Sequence, residues 1–113
     1  MSGYVFRLIP PRSDFASTMS EEERAMMNAH VAYWGDLVAR GDVVAVGPVA
    51  DPAGPYGIGI VLAPDLPAAE MIRDEDPAMR SAFGFHTEIA PMPRLVTPSG
   101  AYDATGGASA FSP

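Results

Sequence analysis

The chain contains no cysteine and no lysine in 113 residues. Without cysteine there are no disulfides, no thiolate zinc site and no cysteine nucleophile. Its seven basic residues, all arginine, stand against 14 acidic ones, for a formal net charge of -7. Nucleic-acid binding depends on clustered cations that displace counterions, so no nucleic-acid partner is expected. A polybasic membrane surface is excluded on the same ground. No apolar run approaches the ~20 residues needed to cross a bilayer. The opening Met1-Ser2-Gly3-Tyr4-Val5-Phe6-Arg7 lacks the charged and long apolar regions of a signal peptide, and the expected compartment is the cytoplasm.

With 48% hydrophobic and 19% charged residues, the chain is that of one globular domain. Tyr4 to Ile9 is aromatic and branched, and Pro10-Pro11 ends it, which predicts a strand. Pro10 to Met19 is a loop. Ser20-Glu21-Glu22-Glu23 is a capping box whose acids suit the positive end of a helix. The stripe Met27, Val31, Trp34, Val38, with Met26, Tyr33 and Leu37 alongside, follows helical spacing, and Gly41 is the expected C-terminal stop. Val43 to Val46 and Ile58 to Ala63 predict two strands joined by a turn-rich loop. Asp65 is the expected N-cap of a second helix, whose body runs from Ala68 to about Glu75. Pro77 disfavours helix at Asp76, so Asp76 caps a new turn with Pro77 at its first position. Phe83 to Met92 predicts the last strand, with Phe83, Phe85, Thr87 and Ile89 on one face. Thr97 to Pro113 is a Gly/Ala/Ser/Pro-rich tail, either without a role or an arm docking through Tyr102 and Phe111.

The order β-α-β-β-α-β predicts an α+β, ferredoxin-like fold: a four-stranded antiparallel sheet with two helices on one face. The apolar runs Val43 to Val46 and Ile58 to Leu62 predict that a second subunit covers the other face, giving a homodimer.

His30 is the residue that most needs a partner or a task. It lies on the first helix, one turn before Trp34. A histidine there serves either as a structural hydrogen-bonding group or as a general acid or base steadied by a carboxylate. Asp76 is an ordinary cap that can also partner a histidine, because a carboxylate has two oxygens. Asp51, before Pro52, is a turn residue or a group at a pocket mouth. Trp34 reads as a core anchor and also stands close enough to His30 to count among ligand contacts. Arg7 either pairs with Glu88 across strands or meets an anionic substrate. His86 and Glu88 share one strand face and stand with Arg7 as candidate substrate contacts, but no His-x-x-x-His or Glu-x-x-His spacing exists, so no metal is expected. Gly54-Pro55-Tyr56-Gly57-Ile58-Gly59 lacks the Lys-Ser/Thr of a phosphate loop and leads into no helix.

Taken in order, the His30 helix with Tyr33-Trp34, Gly41, Val46-Gly47-Pro48 with Asp51, Asp76-Pro77 and Glu88-Ile89-Ala90-Pro91-Met92 resembles the YciI-like, or YCII-related, proteins over roughly residues 3 to 96. The resemblance implies a dimeric ferredoxin-like α+β barrel, with domain 1–96 followed by the tail 97–113. It implies a site built on a helix histidine and an aspartate, here His30 and Asp76. Some members of that family act on small aromatic or lactone-type metabolites, including dehydrochlorination of a chlorinated hydroxyquinol. The expectation is therefore a cofactor-free enzyme working by His-Asp acid/base chemistry on a small cyclic or aromatic metabolite. The alternative is a non-catalytic dimeric module that binds a small molecule. The long Pro10 to Met19 loop and the tail depart from the family pattern.

Overall fold

The computed structural model describes residues 1–104. Its elements are β1 (Ser2–Ile9), α1 (Phe15–Thr18), α2 (Glu21–Ala39), β2 (Val43–Val49), β3 (Tyr56–Ala63), α3 (Leu66–Glu75), α4 (Pro77–Arg80), β4 (His86–Met92), β5 (Arg94–Thr97) and β6 (Gly100–Asp103). Strands β1 to β4 form one antiparallel sheet in the order β2-β3-β1-β4, and β5 pairs with β6 in a separate hairpin. This is the α+β, ferredoxin-like arrangement.

Helix α2 begins where the capping box requires. Ser20 Oγ accepts from the Glu23 amide, and Glu23 Oε1 accepts from the Ser20 amide. It ends at Gly41, whose φ of +83° costs a residue without Cβ little. There the Asp42 and Gly41 amides donate to the Leu37 and Val38 carbonyls, closing the helix terminus.

The buried face of α2 differs from the expected stripe. Trp34 and Leu37 are buried, whereas Val31 is 65% and Val38 43% exposed. The inward face runs through Glu23, His30, Trp34 and Leu37, one position away from the valines. The larger apolar side chains, Trp34 and Leu37, take the core face, and His30 lies on the same side of the helix. Strand β2 is a sheet edge. On the single chain Val44 and Val46 are exposed, and a register irregularity falls between Val43 and Ala45.

Three further expectations are corrected. The segment from Pro10 to Met19 contains the short helix α1, anchored by buried Phe15. Strand β4 begins at His86, leaving Phe83 to Phe85 in the preceding loop. Regular structure continues through Thr97 into β6, so a tail beginning at Thr97 starts too early. Phe111 lies outside the described residues. The β5-β6 hairpin also covers part of the sheet face opposite the helices: a Cβ on Gly3 would stand 2.9 Å from Leu95 Cβ, so the chain supplies some of that cover itself.

The core gathers Tyr4, Phe6, Trp34, Leu37 and Val61 between sheet and helices. Trp34 is its hub. The ring meets Phe6 edge-on at 5.6 Å and Tyr33 edge-on at 6.2 Å. Its six-membered edge lies so close to Gly59 that a Cβ there would approach Cζ3 to 3.0 Å. Glycine inside a strand usually weakens it, and here it admits the indole. Trp34→Ala removes this packing, and chemical denaturation is expected to show a loss of about 3–5 kcal/mol.

Candidate active site

The junction of α3 and α4 fixes the central carboxylate. Asp76 precedes a proline and so takes an extended ψ of 127°, which ends α3. Pro77 then opens α4, and Asp76 Oδ1 accepts from the Ala78 amide at 2.8 Å. A purely local rule thus presents a carboxylate to the flank of α2. Asp76 is only 2% exposed.

Two side chains one turn apart on α2 meet it. His30 Nδ1 lies 2.8 Å from Asp76 Oδ1 and 3.1 Å from Oδ2. Trp34 Nε1 donates to Oδ2 at 2.8 Å. Indole and amide N–H groups can only donate, so both carboxylate oxygens act as acceptors. A hydrogen on His30 Nδ1 completes this set, and a neutral ring then carries its lone pair on Nε2. Tyr33 braces the same helices: its hydroxyl donates to the Ile72 carbonyl at 2.7 Å. Burial, with the negative charges of Glu75 and Asp76, pushes the Tyr33 phenol up to about 12.

His30 borders a cavity of about 500 Å³ between α2, the sheet and the segment carrying α1. That volume lies in the ~300–1,000 Å³ range of small-molecule sites. Phe6, Leu8, Phe15, Trp34 and Phe85 supply much of its apolar wall, and Gly57 and Gly59 leave strand backbone on another side. No arginine, aspartate or glutamate lines it. Among the described residues, His30 and Thr87 bring polar side chains to it besides the indole, while Tyr56 borders it at the strand end with its ring under Arg7.

The remaining sequence candidates stand elsewhere. Asp51 accepts from the Ala53 amide at 2.9 Å in a tight turn and does not line the cavity. Arg7 and Glu88 are register partners with a 3.1 Å ion pair, and both are half-exposed. Phe6 and Leu8 line the cavity, so strand alternation sends Arg7, with Glu88 and His86, to the opposite sheet face. The Arg7 guanidinium stacks on Tyr56 at 4.4 Å. His30 and His86 therefore share no site. Among the described residues no three His, Asp or Glu side chains gather as metal ligands.

Phe15 and Phe85 were not foreseen as wall residues, nor Arg12 as the residue that braces Phe15. The capping box at Ser20–Glu23 gave half of the signal. Glu23 Oε1 and Oε2 also accept from Arg12 Nη2 and Nη1 at 2.8 and 2.9 Å. This two-pronged pair, with the Ser20 amide, lowers the Glu23 carboxyl from an ordinary 4.5 to about 2.

The chain belongs to the YCII-related domain family, whose sequence model matches residues 4–93. A search of curated proteins found no match.

The Glu23 shift has a signed consequence. A carboxyl lowered by folding stabilises the native state fully above its unfolded value and loses that contribution as pH falls through its folded value. The stability difference between wild type and Glu23→Gln, followed by denaturant titration, is expected to be widest above pH 4.5 and to close as pH falls from 4.5 to about 2.

Proposed function

We propose that the cavity is the active site of a cofactor-free enzyme, with His30 as general acid or base and Asp76 as its orienting partner. The observation that carries this reading is the 2.8 Å His30–Asp76 contact on the wall of an otherwise apolar cavity. Asp76 occupies Nδ1 and leaves the Nε2 edge for a ligand. The carboxylate behind the ring holds the imidazole in one orientation while Nε2 takes or gives a proton. The cavity walls suit a small uncharged cyclic or aromatic compound, for which one acid/base pair serves isomerisation, elimination such as dehydrochlorination, or lactone chemistry.

A second reading, non-catalytic small-molecule binding, is favoured by one feature. Apart from His30, the described wall residues offer little more than the Thr87 hydroxyl to stabilise charge developing on a substrate. Incubation with phenolic, chlorinated hydroquinol and lactone compounds, followed by mass spectrometry, separates the two. Catalysis predicts conversion that falls by about 10²–10⁴ in His30→Gln. Nitrogen-15 spectra of the His30 ring in alkaline buffer are expected to show the proton on Nδ1; a proton on Nε2 would remove the proposed base.

The open sheet face adds a partner to the proposal. The hairpin covers the Gly3 end, while Ile58 and Ile60 remain partly exposed. A second copy of the chain covers this remainder, burying more than ~2,000 Å² in total if the interface is obligate. Light scattering at micromolar concentration is expected to give twice the chain mass of 11.9 kDa.

A further inference from the structure

The segment between β1 and α2 forms part of the cavity wall, and its construction is unusually tight for a surface connection. A four-residue helix such as α1 has no independent stability, so contacts with the rest of the chain must hold it. Arg12 supplies them. Its Nη1 and Nη2 donate to the two Glu23 oxygens, Nη2 also donates to the Thr18 carbonyl at 2.8 Å, and Nε donates to Thr18 Oγ1 at 2.8 Å. All three guanidinium nitrogens are engaged. The planar fork lies 5.0 Å from the Phe15 ring centre. Glu23 is itself fixed by the capping box and 7% exposed, so the latch is tied to the first turn of α2.

Phe15 is what the latch holds. It is 5% exposed, lines the cavity, and meets Phe85 edge-on at 5.0 Å. The Phe15 side chain has no hydrogen-bonding group and lies far in sequence from Asp76, so its contribution to the site is shape. We propose that Phe15, latched by Arg12 to Glu23, is the specificity-determining wall of the cavity and sets the size of ring compound that reaches His30. Arg12 and Glu23 act as positioning residues, through Phe15. The inference rests on the cavity being a ligand site, as proposed above, and does not require His30 to move a proton.

The chain has a single tryptophan, so the Trp34 indole N–H gives one resonance that reports cavity occupancy. The probes are a two-ring phenol, 2-naphthol, and a three-ring phenol, 9-phenanthrol, titrated against that resonance. Wild type is expected to bind the smaller probe about tenfold more tightly, a ratio in keeping with steric discrimination in apolar pockets. Phe15→Ala, and the milder Phe15→Leu if the alanine variant fails to fold, reduce the ratio to about threefold or less. Arg12→Met keeps Phe15 and the aliphatic stem but loses the latch, and lowers the ratio too. Arg12→Lys, unable to form the two-pronged pair, falls between. A merely structural role for Arg12 would lower the melting temperature in both variants without moving the ratio.

His30→Gln separates the two proposals. Its size ratio stays at the wild-type value if Phe15 is the wall, whatever becomes of turnover. Retained turnover in His30→Gln defeats the acid/base reading alone. An unchanged ratio in Phe15→Ala or Phe15→Leu, equal affinity of wild type for both probes, or no response to either probe would overturn the inference.

Discussion

One carboxylate, that of Asp76, closes three parts of the structure at once. It caps α4 through the Ala78 amide, accepts the indole of the core tryptophan, and contacts the histidine at the cavity wall. Its two oxygens are divided so that every approaching group is a donor. An asparagine in its place would have one acceptor and one donor. With its oxygen at the Ala78 amide, its NH₂ would face the indole N–H; turned around, its NH₂ would face the Ala78 N–H. In both orientations a donor meets a donor in a buried place, an arrangement that costs about 1–3 kcal/mol. The charge is therefore bound up with the cap as well as with His30. A variant that removes it tests the fold and the chemistry together, which is why substitution of His30 is the cleaner probe of function.

The cavity has the electrostatic form that such a pair needs. Asp76 does not line it; the carboxylate stands behind the imidazole and is nearly closed to solvent. A ligand thus meets one ring edge in apolar surroundings, where a hydrogen bond is stronger than in water. No arginine faces the ligand space, because strand alternation sends Arg7 to the other side of the sheet. An anionic substrate would find no counter-charge there, on a chain that already carries a net charge of -7. The same alternation that builds the core thereby restricts the ligand's charge.

Much of the fold was legible because local rules governed it. The capping box at Ser20 and Glu23, the glycine stop at Gly41 and the proline after Asp76 each specify a terminus with a handful of neighbouring residues. The sheet order follows from element order once those termini are set. What escaped was whatever depended on distant partners. Val31 looked like a core position because periodicity weighs hydrophobicity, and no pattern could show that His30 would find a carboxylate 46 residues away. The need of His30 for a partner and the spare acceptor capacity of Asp76 were readable from the residues, while their joining as one site was what the family resemblance implied. The apolar run Val43 to Val46 likewise carries no information about whether its strand lies at a sheet edge. Phe15 was hidden in a segment rich in turn residues, although the glycines at 57 and 59, alternating on one face of a strand, were a signal that large groups approach there.

Glu23, in the first turn of α2, repeats the double use seen in Asp76. Each is a capping residue by local sequence, and each spends the remaining acceptor capacity on a partner outside the helix: Arg12 for Glu23, His30 and Trp34 for Asp76. A cap has a simple sequence signature and so conceals the second role, since nothing in the signature distinguishes a carboxylate used once from one used twice. The physical reason for the coincidence is that helix termini are the places where a short acidic side chain is already held rigid and already desolvated on one side. Holding a further donor there costs little additional ordering entropy. In this chain the two shared caps hold the two elements that define the cavity, one its ionisable group and the other its aromatic wall.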